Sequence, residues 1–229
     1  MNQSEKNHIN LVLMAKAPRP GYVKTRLHKI FSHQQACDIY QRFLSRVRAL
    51  SETWQQSRAN IDLFIAYDPP DQPECWKNWH GWKKLPQSSG NLGDRLLAAF
   101  ASIAPDPADP VIFIGADAPE LSMHHLDWAA DNLLTSQAAV VPAHDGGYVL
   151  IGVHSSALRL FADIEWGTDK VMSKTMEIAH AAGLSLVQSL PVSDVDTAED
   201  LASLLDRLLC SSDADDQALA DTLVKITQE

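Results

Sequence analysis

The sequence predicts a single α/β domain built on a mostly parallel sheet, and three observations lead there. Short apolar runs alternate with longer amphipathic stretches, the pattern of successive βα units. The first run, residues 9–15, is almost wholly apolar, as a strand covered on both faces must be. No repeat, linker or low-complexity break interrupts residues 9–210 of the 229-residue chain. With 45% hydrophobic and 21% charged residues, the composition supports a substantial core and excludes disorder of the whole chain.

The elements follow in order. After the strand over 9–15, Pro18, Pro20 and Gly21 turn the chain through 16–23. A long helix is expected over 32–56, with Ser32 as N-cap and Gln35 completing a capping box. Ala36, Ile39, Tyr40, Phe43, Leu44, Val47 and Leu50 recur at helical spacing, leaving Arg42, Arg46 and Arg48 on a solvated face. A strand over 61–67, a short helix over 71–80 and a brief strand over 82–85 come next, with Trp76, Trp79 and Trp82 read as packing. A helix over 91–103 begins at Asn91, and residues 111–115 form the clearest buried strand. A helix over 122–134 precedes strands at 138–142 and 148–153, joined through His144-Asp145-Gly146-Gly147 as a hairpin, hence with an antiparallel element. Helix, strand and helix then cover 168–182, 184–190 and 197–210, with Thr168 capping the first and Thr197 or Asp196 the second. The transferase-like domain is placed over 9–210; the acidic segment 211–229 is expected as a peripheral helix or mobile tail.

Charge narrows the function. The net charge is −10, yet the first 60 residues hold 10 of the 19 Lys and Arg and only 3 of the 29 acids. An acidic whole argues against nucleic acid as partner, while a local basic segment suits a phosphorylated small molecule. Apolar runs fall far short of the roughly 20 residues a membrane helix needs, and the polar start has no apolar core of a secretion signal. Three widely spaced cysteines without a C-x-x-C pair fit a reduced, cytoplasmic setting.

Chemistry gathers in the turns after strands. Residues 15–27 carry Ala15, Lys16, Ala17, Pro18, Arg19, Gly21, Lys24, Thr25 and Arg26 directly beyond the first strand, where open α/β sheets bind ligands. Their amides, hydroxyl and cations suit a nucleotide's phosphates, although the spacing is neither a Walker loop nor G-x-G-x-x-G. Asn91 and Arg95, opening the next helix after Gly90, extend that nucleotide face. Asp117 emerges from the best buried strand, poised for Mg²⁺ or Mn²⁺, and alternation turns Asp194 and Asp196 the same way so that one or both complete the metal site. Asp145-Gly146-Gly147-Tyr148 permits close approach of backbone to ligand, and Glu165 with Trp166 could line an acceptor pocket.

Taken together, Met14 to Pro18 with Lys24-Thr25-Arg26-Leu27, Gly90-Asn91-Leu92-Gly93 with Arg95, Gly115-Ala116-Asp117-Ala118-Pro119, Asp145-Gly146-Gly147-Tyr148, Trp166-Gly167-Thr168-Asp169 and Asp194-Val195-Asp196-Thr197 resemble the bacterial GT-A-like glycosyltransferases, a group with arsenosugar-biosynthesis-type members. More distantly the chain is similar to nucleotidyltransferases of the same superfamily. The resemblance spans about residues 9–205 and implies an α/β/α nucleotide-diphospho-sugar transferase fold, with an N-terminal nucleotide half and a C-terminal acceptor half. On it, Lys24 and Arg26 contact phosphate, and Asp117 and Asp196 bind a divalent cation. The expected activity is transfer of a sugar from a nucleotide donor to a small acceptor, with Asp145 or Glu165 as base. The alternative is nucleotidyl transfer from an NTP to a phosphorylated small molecule, releasing pyrophosphate. Ala116-Asp117-Ala118 offers one aspartate where a glycosyltransferase D-x-D has two, and the Gly-Gly-x-Gly-x-Arg loop of nucleotidyltransferases is absent.

Overall fold

A computed structural model describes residues 8–103 and 105–228; the polar start over 1–7 lies outside them. Its strands are β1 (Ile9–Lys16), β2 (Ile61–Asp68), β3 (Lys83–Pro86), β4 (Val111–Gly115), β5 (Ala138–Pro142), β6 (Tyr148–Val153) and β7 (Leu186–Gln188). Its α-helices are α1 (His33–Ser57), α2 (Leu92–Ile103), α3 (Met123–Asn132), α4 (Val171–Ala182), α5 (Ala198–Cys210) and α6 (Ala214–Gln228).

The described strands form one sheet in the order β3-β2-β1-β4-β6-β5-β7. β1 pairs in parallel with β2 and β4, β2 with β3, and β5 with β7, while β6 runs antiparallel between β4 and β5. The hairpin expected around Gly146-Gly147 therefore supplies the reversed strand. Because the chain leaves β1 for β2 on one side and reaches β4 on the other, the crevice between β1 and β4 is a topological switch point, where such sheets receive ligands.

Alternation along β1 makes the layers. Leu11, Leu13 and Ala15 join Tyr40, Leu44 and Val47 of α1 and Leu126 and Ala129 of α3; Val12 joins Leu96 and Phe100 of α2 and Ala179 of α4 on the other face. The result is an α/β/α sandwich. α1 starts as expected, since Ser32 accepts from the Gln35 N–H and the Gln35 side chain accepts from the Ser32 N–H. Its far side buries Ala36, Ile39 and Phe43 against Leu201, Leu204 and Leu208 of α5 and Leu219, Leu223 and Ile226 of α6. The acidic C-terminal segment is thus a helix with a packed apolar stripe rather than a loose tail.

Several local expectations are corrected. Over 71–80 only a 3-10 turn, Pro73–Trp76, forms, because Trp76, Trp79 and Trp82 bury themselves edge to face and the chain bends to seat them. α4 begins at Val171, with Thr168 outside it; the Thr168 hydroxyl instead donates to the Glu165 carbonyl at 2.8 Å. Arg46 and Arg48 are only half-exposed and engaged by partners. Arg46 donates to the Pro119 carbonyl at 2.7 Å and pairs with Asp216, while Arg48 lies over the Trp79 ring and pairs with Glu52 at 2.7 Å. No helix among the described residues is long and apolar enough to cross a membrane.

Candidate active site

The site grows from the ends of β1 and β4. The Lys16 N–H donates to the Tyr40 hydroxyl at 2.9 Å, and that hydroxyl donates back to the Lys16 carbonyl at 3.2 Å, so α1 fixes where β1 ends. Complete burial holds the Tyr40 phenol far above its ordinary pKa, keeping it a neutral donor. The Tyr22 hydroxyl donates to Asp68 at 2.6 Å, which pins the following loop to the end of β2.

That loop delivers Lys24 in a left-handed conformation, φ 48° and ψ 43°, unusual for a residue with a side chain. The ammonium donates to the Val195 carbonyl at 2.5 Å and lies 2.5 Å from Asp117 Oδ1 and 3.4 Å from Asp196 Oδ1. Only 3% of the Lys24 side chain is exposed. Arg26, 66% exposed, pairs with Asp196 Oδ2 at 2.9 Å. Three separate loops therefore meet at one cation.

Each carboxylate is held from behind. The Asp117 carbonyl accepts from the Val195 N–H at 3.0 Å, and the next residues are gripped by Arg46 at Pro119 and by Arg207, whose guanidinium meets Glu120 at 2.8 and 2.6 Å. Asp196 and Thr197 donate their N–H groups to Asp200 Oδ2, closing a capping box at the start of α5. Asp194 faces the same cavity as this pair. Burial first, and then the neighbouring Asp145 and Asp196 charges, push its carboxyl up to about 6.

These groups border a cavity of about 720 Å³, within the range of small-molecule sites. Of the expected nucleotide residues, Ala15, Lys16, Lys24, Thr25, Arg26 and Arg95 line it. Of the expected acceptor residues, Gly147, Tyr148 and Trp166 do, with Asp145, Asp117 and Asp196 beside them. Six expected residues do not line it. Ala17 is wholly buried in the core, Pro18 is half-buried away from the lining and Gly21 turns toward the His33 ring. Asn91 spends its side chain capping α2, accepting from the Asp94 N–H at 3.1 Å. Gly146 faces Asp169, and Glu165 points to solvent.

Gln87 is a cavity residue that sequence reasoning missed, being one polar residue in a loop with no motif. Buried, it donates to the Ala66 carbonyl at 2.7 Å and the Ala15 carbonyl at 3.3 Å, and accepts from Arg95 at 3.1 Å. With its own groups filled, Gln87 aims the Arg95 guanidinium. Trp166 reaches the cavity because Gly93 has no side chain: a Cβ there would fall 2.7 Å from the indole nitrogen.

The donor set fits a divalent cation. Asp117 and Asp196 present hard carboxylate oxygens around a position already taken by a positive charge. Asp117 Oδ1 is shielded from solvent yet accepts no directed hydrogen bond, Lys24 being an off-axis ion-pair partner. Among the described residues no cluster of three His, Cys, Asp or Glu side chains forms a metal cage. A bound ion would therefore draw its other ligands from phosphate and water, as Mg²⁺ commonly does.

Comparisons with known proteins agree with the fold. The family profile described as "Uncharacterized protein conserved in bacteria (DUF2064)" matches residues 53–168. A solved protein of Desulfovibrio desulfuricans G20, provisionally named a nucleotide-diphospho-sugar transferase, is 30% identical, with 97% of each chain covered and a TM-score of 0.84. A cytidylyltransferase from Leptospira borgpetersenii shares the fold at 14% identity and a TM-score of 0.57, covering 97% of this chain and 94% of its own. Rv0371c of Mycobacterium tuberculosis H37Rv, solved with manganese, does so at 15% identity and 0.53, covering 87% and 99%. No curated protein matches the sequence.

Proposed function

The chain belongs to the bacterial family DUF2064 and has the nucleotide-diphospho-sugar transferase fold, and on that premise we propose that it transfers a sugar from a nucleotide donor to a small acceptor with the help of Mg²⁺ or Mn²⁺. The observation that carries this reading is the meeting of Lys24, Asp117 and Asp196, from three loops, at the rim of one cavity over the β1–β4 crevice.

In this reading the donor's diphosphate lies along residues 15–26, with Lys24 and Arg26 offsetting the charge that grows on the leaving group. Asp117 and Asp196 hold the divalent cation, which supplies further charge neutralisation to the same diphosphate. Arg95, steadied by Gln87, faces the nucleoside. The acceptor enters beside Tyr148 and Trp166, whose rings pack edge to face with centroids 6.1 Å apart. Its hydroxyl oxygen forms the new bond to the anomeric carbon, the bond from that carbon to the diphosphate breaks, and Asp145 receives the hydroxyl proton. Asp145 is positioned for this by an Asx turn in which its carboxylate accepts from the Gly147 N–H at 2.8 Å.

Nucleotidyl transfer is the second reading, favoured by the single aspartate of Ala116-Asp117-Ala118 and by the cytidylyltransferase among the fold relatives. A thermal-shift screen separates the two, since a ligand bound only by the folded state raises the melting point. Nucleotide sugars with Mn²⁺ should stabilise the protein more than NTPs do; stabilisation by NTPs alone supports the second reading, and none by any nucleotide overturns both.

A further inference from the structure

We infer that Lys24 is a built-in counter-cation that keeps the Asp117–Asp196 site closed to a divalent ion until a nucleotide arrives, so that metal and nucleotide enter as a pair. The inference rests on the transferase reading above and adds an order of binding to it.

The geometry carries the argument. Three oxygens surround the Lys24 ammonium: the Val195 carbonyl and Asp196 Oδ1 accept its hydrogen bonds, and Asp117 Oδ1 is an ion-pair partner at 2.5 Å. Its side chain is almost fully buried, so the charge is compensated by those oxygens rather than by water. The left-handed backbone at Lys24 aims the side chain inward, and Phe43 lies beneath the ammonium, 5.7 Å from ring centroid to nitrogen. Lys24 thus borders the cavity with its ammonium set between the two carboxylates.

A Mg²⁺ ion sits about 2.1 Å from its oxygens. Beside an ammonium 2.5 Å from Asp117 Oδ1, an ion on the same oxygen would stand only about 4 Å from a like charge in a site sheltered from water, and the repulsion opposes its entry. Metal entry is therefore favoured once the ammonium withdraws, and a buried ammonium withdraws at low cost only toward another anion, since otherwise its charge is left unpaired. The diphosphate of a nucleotide provides one at the adjoining cavity wall. Its oxygens take over Lys24 as the metal takes over Asp117 and Asp196, so neither charge is left unpaired. Arg26, largely exposed, can follow Lys24 onto the phosphate. Such an exchange makes the two ligands mutually dependent, and the dependence is reciprocal.

The test is Mn²⁺ binding, read by electron paramagnetic resonance and calorimetry and requiring no turnover. Wild-type protein is titrated with MnCl₂ alone and with MnCl₂ in the presence of ADP, GDP, CDP or UDP in turn; Lys24→Met and Lys24→Arg are titrated with MnCl₂ alone. Wild type is expected to bind Mn²⁺ at least tenfold more tightly with the nucleotide it accepts than without. Lys24→Met is expected to gain a similar factor without nucleotide, and Lys24→Arg to gain none. An Asp117-dependent Mn²⁺ site equally tight with and without nucleotide in wild type overturns the inference while leaving the transferase reading intact, and that comparison needs no variant to fold. Absence of any nucleotide binding, with or without Mn²⁺, overturns both.

Discussion

The N–H of Val195 donates to the carbonyl of Asp117 at 3.0 Å. This bond ties the loop after β4 to the segment before α5, and Val195 also offers its own carbonyl to Lys24. A single residue so joins the two carboxylate-bearing loops to the cation between them. The candidate site is a consequence of that stitch more than of any one motif.

Removing the Asp117 carboxylate should uncouple metal from nucleotide. Asp117→Asn is expected to lower kcat/KM in the presence of Mn²⁺ by about 10² or more, the scale of a lost charge-stabilising group. Metal-free nucleotide affinity, measured by calorimetry, should change far less, since Lys24 is then free to meet phosphate.

The grip on the Asp117 loop is testable from a distance. Arg207 meets Glu120 with two hydrogen bonds but is 43% exposed, so the pair contributes little stability, about 1 kcal/mol at most. Arg207→Ala should leave the melting temperature within a few degrees yet reduce kcat. Glu120→Gln should do likewise, and the double variant should be no worse than either single one, as a double-mutant cycle on activity will show.

Gly146 and Gly167 make a matched pair. Both have positive φ, 91° and 80°, but a Cβ on Gly146 would come within 2.2 Å of the Asp169 carbonyl oxygen, whereas a Cβ on Gly167 meets nothing within 4 Å. Gly167→Ala should cost about 1 kcal/mol of backbone strain. Gly146→Ala should cost clearly more and displace the turn at Asp145, seen as a larger fall in melting temperature together with a loss of activity.

Asp200 should mark the acid limit of the α5 cap. Burial raises its pKa, but the Thr197 hydroxyl, the N–H groups of Thr197 and Asp196 and the Lys24 charge outweigh that and lower it below the ordinary 3.8. The folded value lies below the unfolded one, so the cap's contribution is complete above pH 3.8 and fades as pH falls through the folded value. Below pH 3.8 the melting temperature of wild type should therefore fall more steeply than that of Asp200→Asn.

α6 should be indispensable to the fold. Leu223 is fully buried against α1 and α5, and Leu223→Ala should cost about 2–5 kcal/mol. Deleting residues 211–229 would bare the outer face of α1 around Ile39 and Phe43, and should abolish cooperative thermal unfolding.

Much of this was readable from residues. The Ser32 and Gln35 capping box, the apolar run from Ile9 and the strand ending at Gly115 carry strong local signals, because caps and strand burial depend on neighbours in sequence. Asp117 follows directly on the strand that ends at Gly115, whereas Asp196 lies well beyond Gln188, the end of β7, and just before α5. What was not legible came from contacts between distant segments. Arg46 has the spacing of a solvated helix residue, and only the fold shows Pro119 and Asp216 facing it. Asn91 is expected on the nucleotide face from its place after Gly90, yet its side chain accepts from the Asp94 N–H at the start of α2, a contact within the turn that no motif announces. Gln87 carries no pattern at all, since a buried amide serving two carbonyls is set by where β1 and β2 end.

The central claim is that Lys24, Asp117 and Asp196 form the diphosphate and metal site of a sugar transferase. The most direct measurement is product analysis by phosphorus NMR after incubating wild-type and Asp117→Asn protein with nucleotide sugars and Mn²⁺. The account predicts slow release of nucleoside diphosphate by wild type and almost none by Asp117→Asn. Pyrophosphate released from an NTP, with nucleotide sugars left intact, would contradict it.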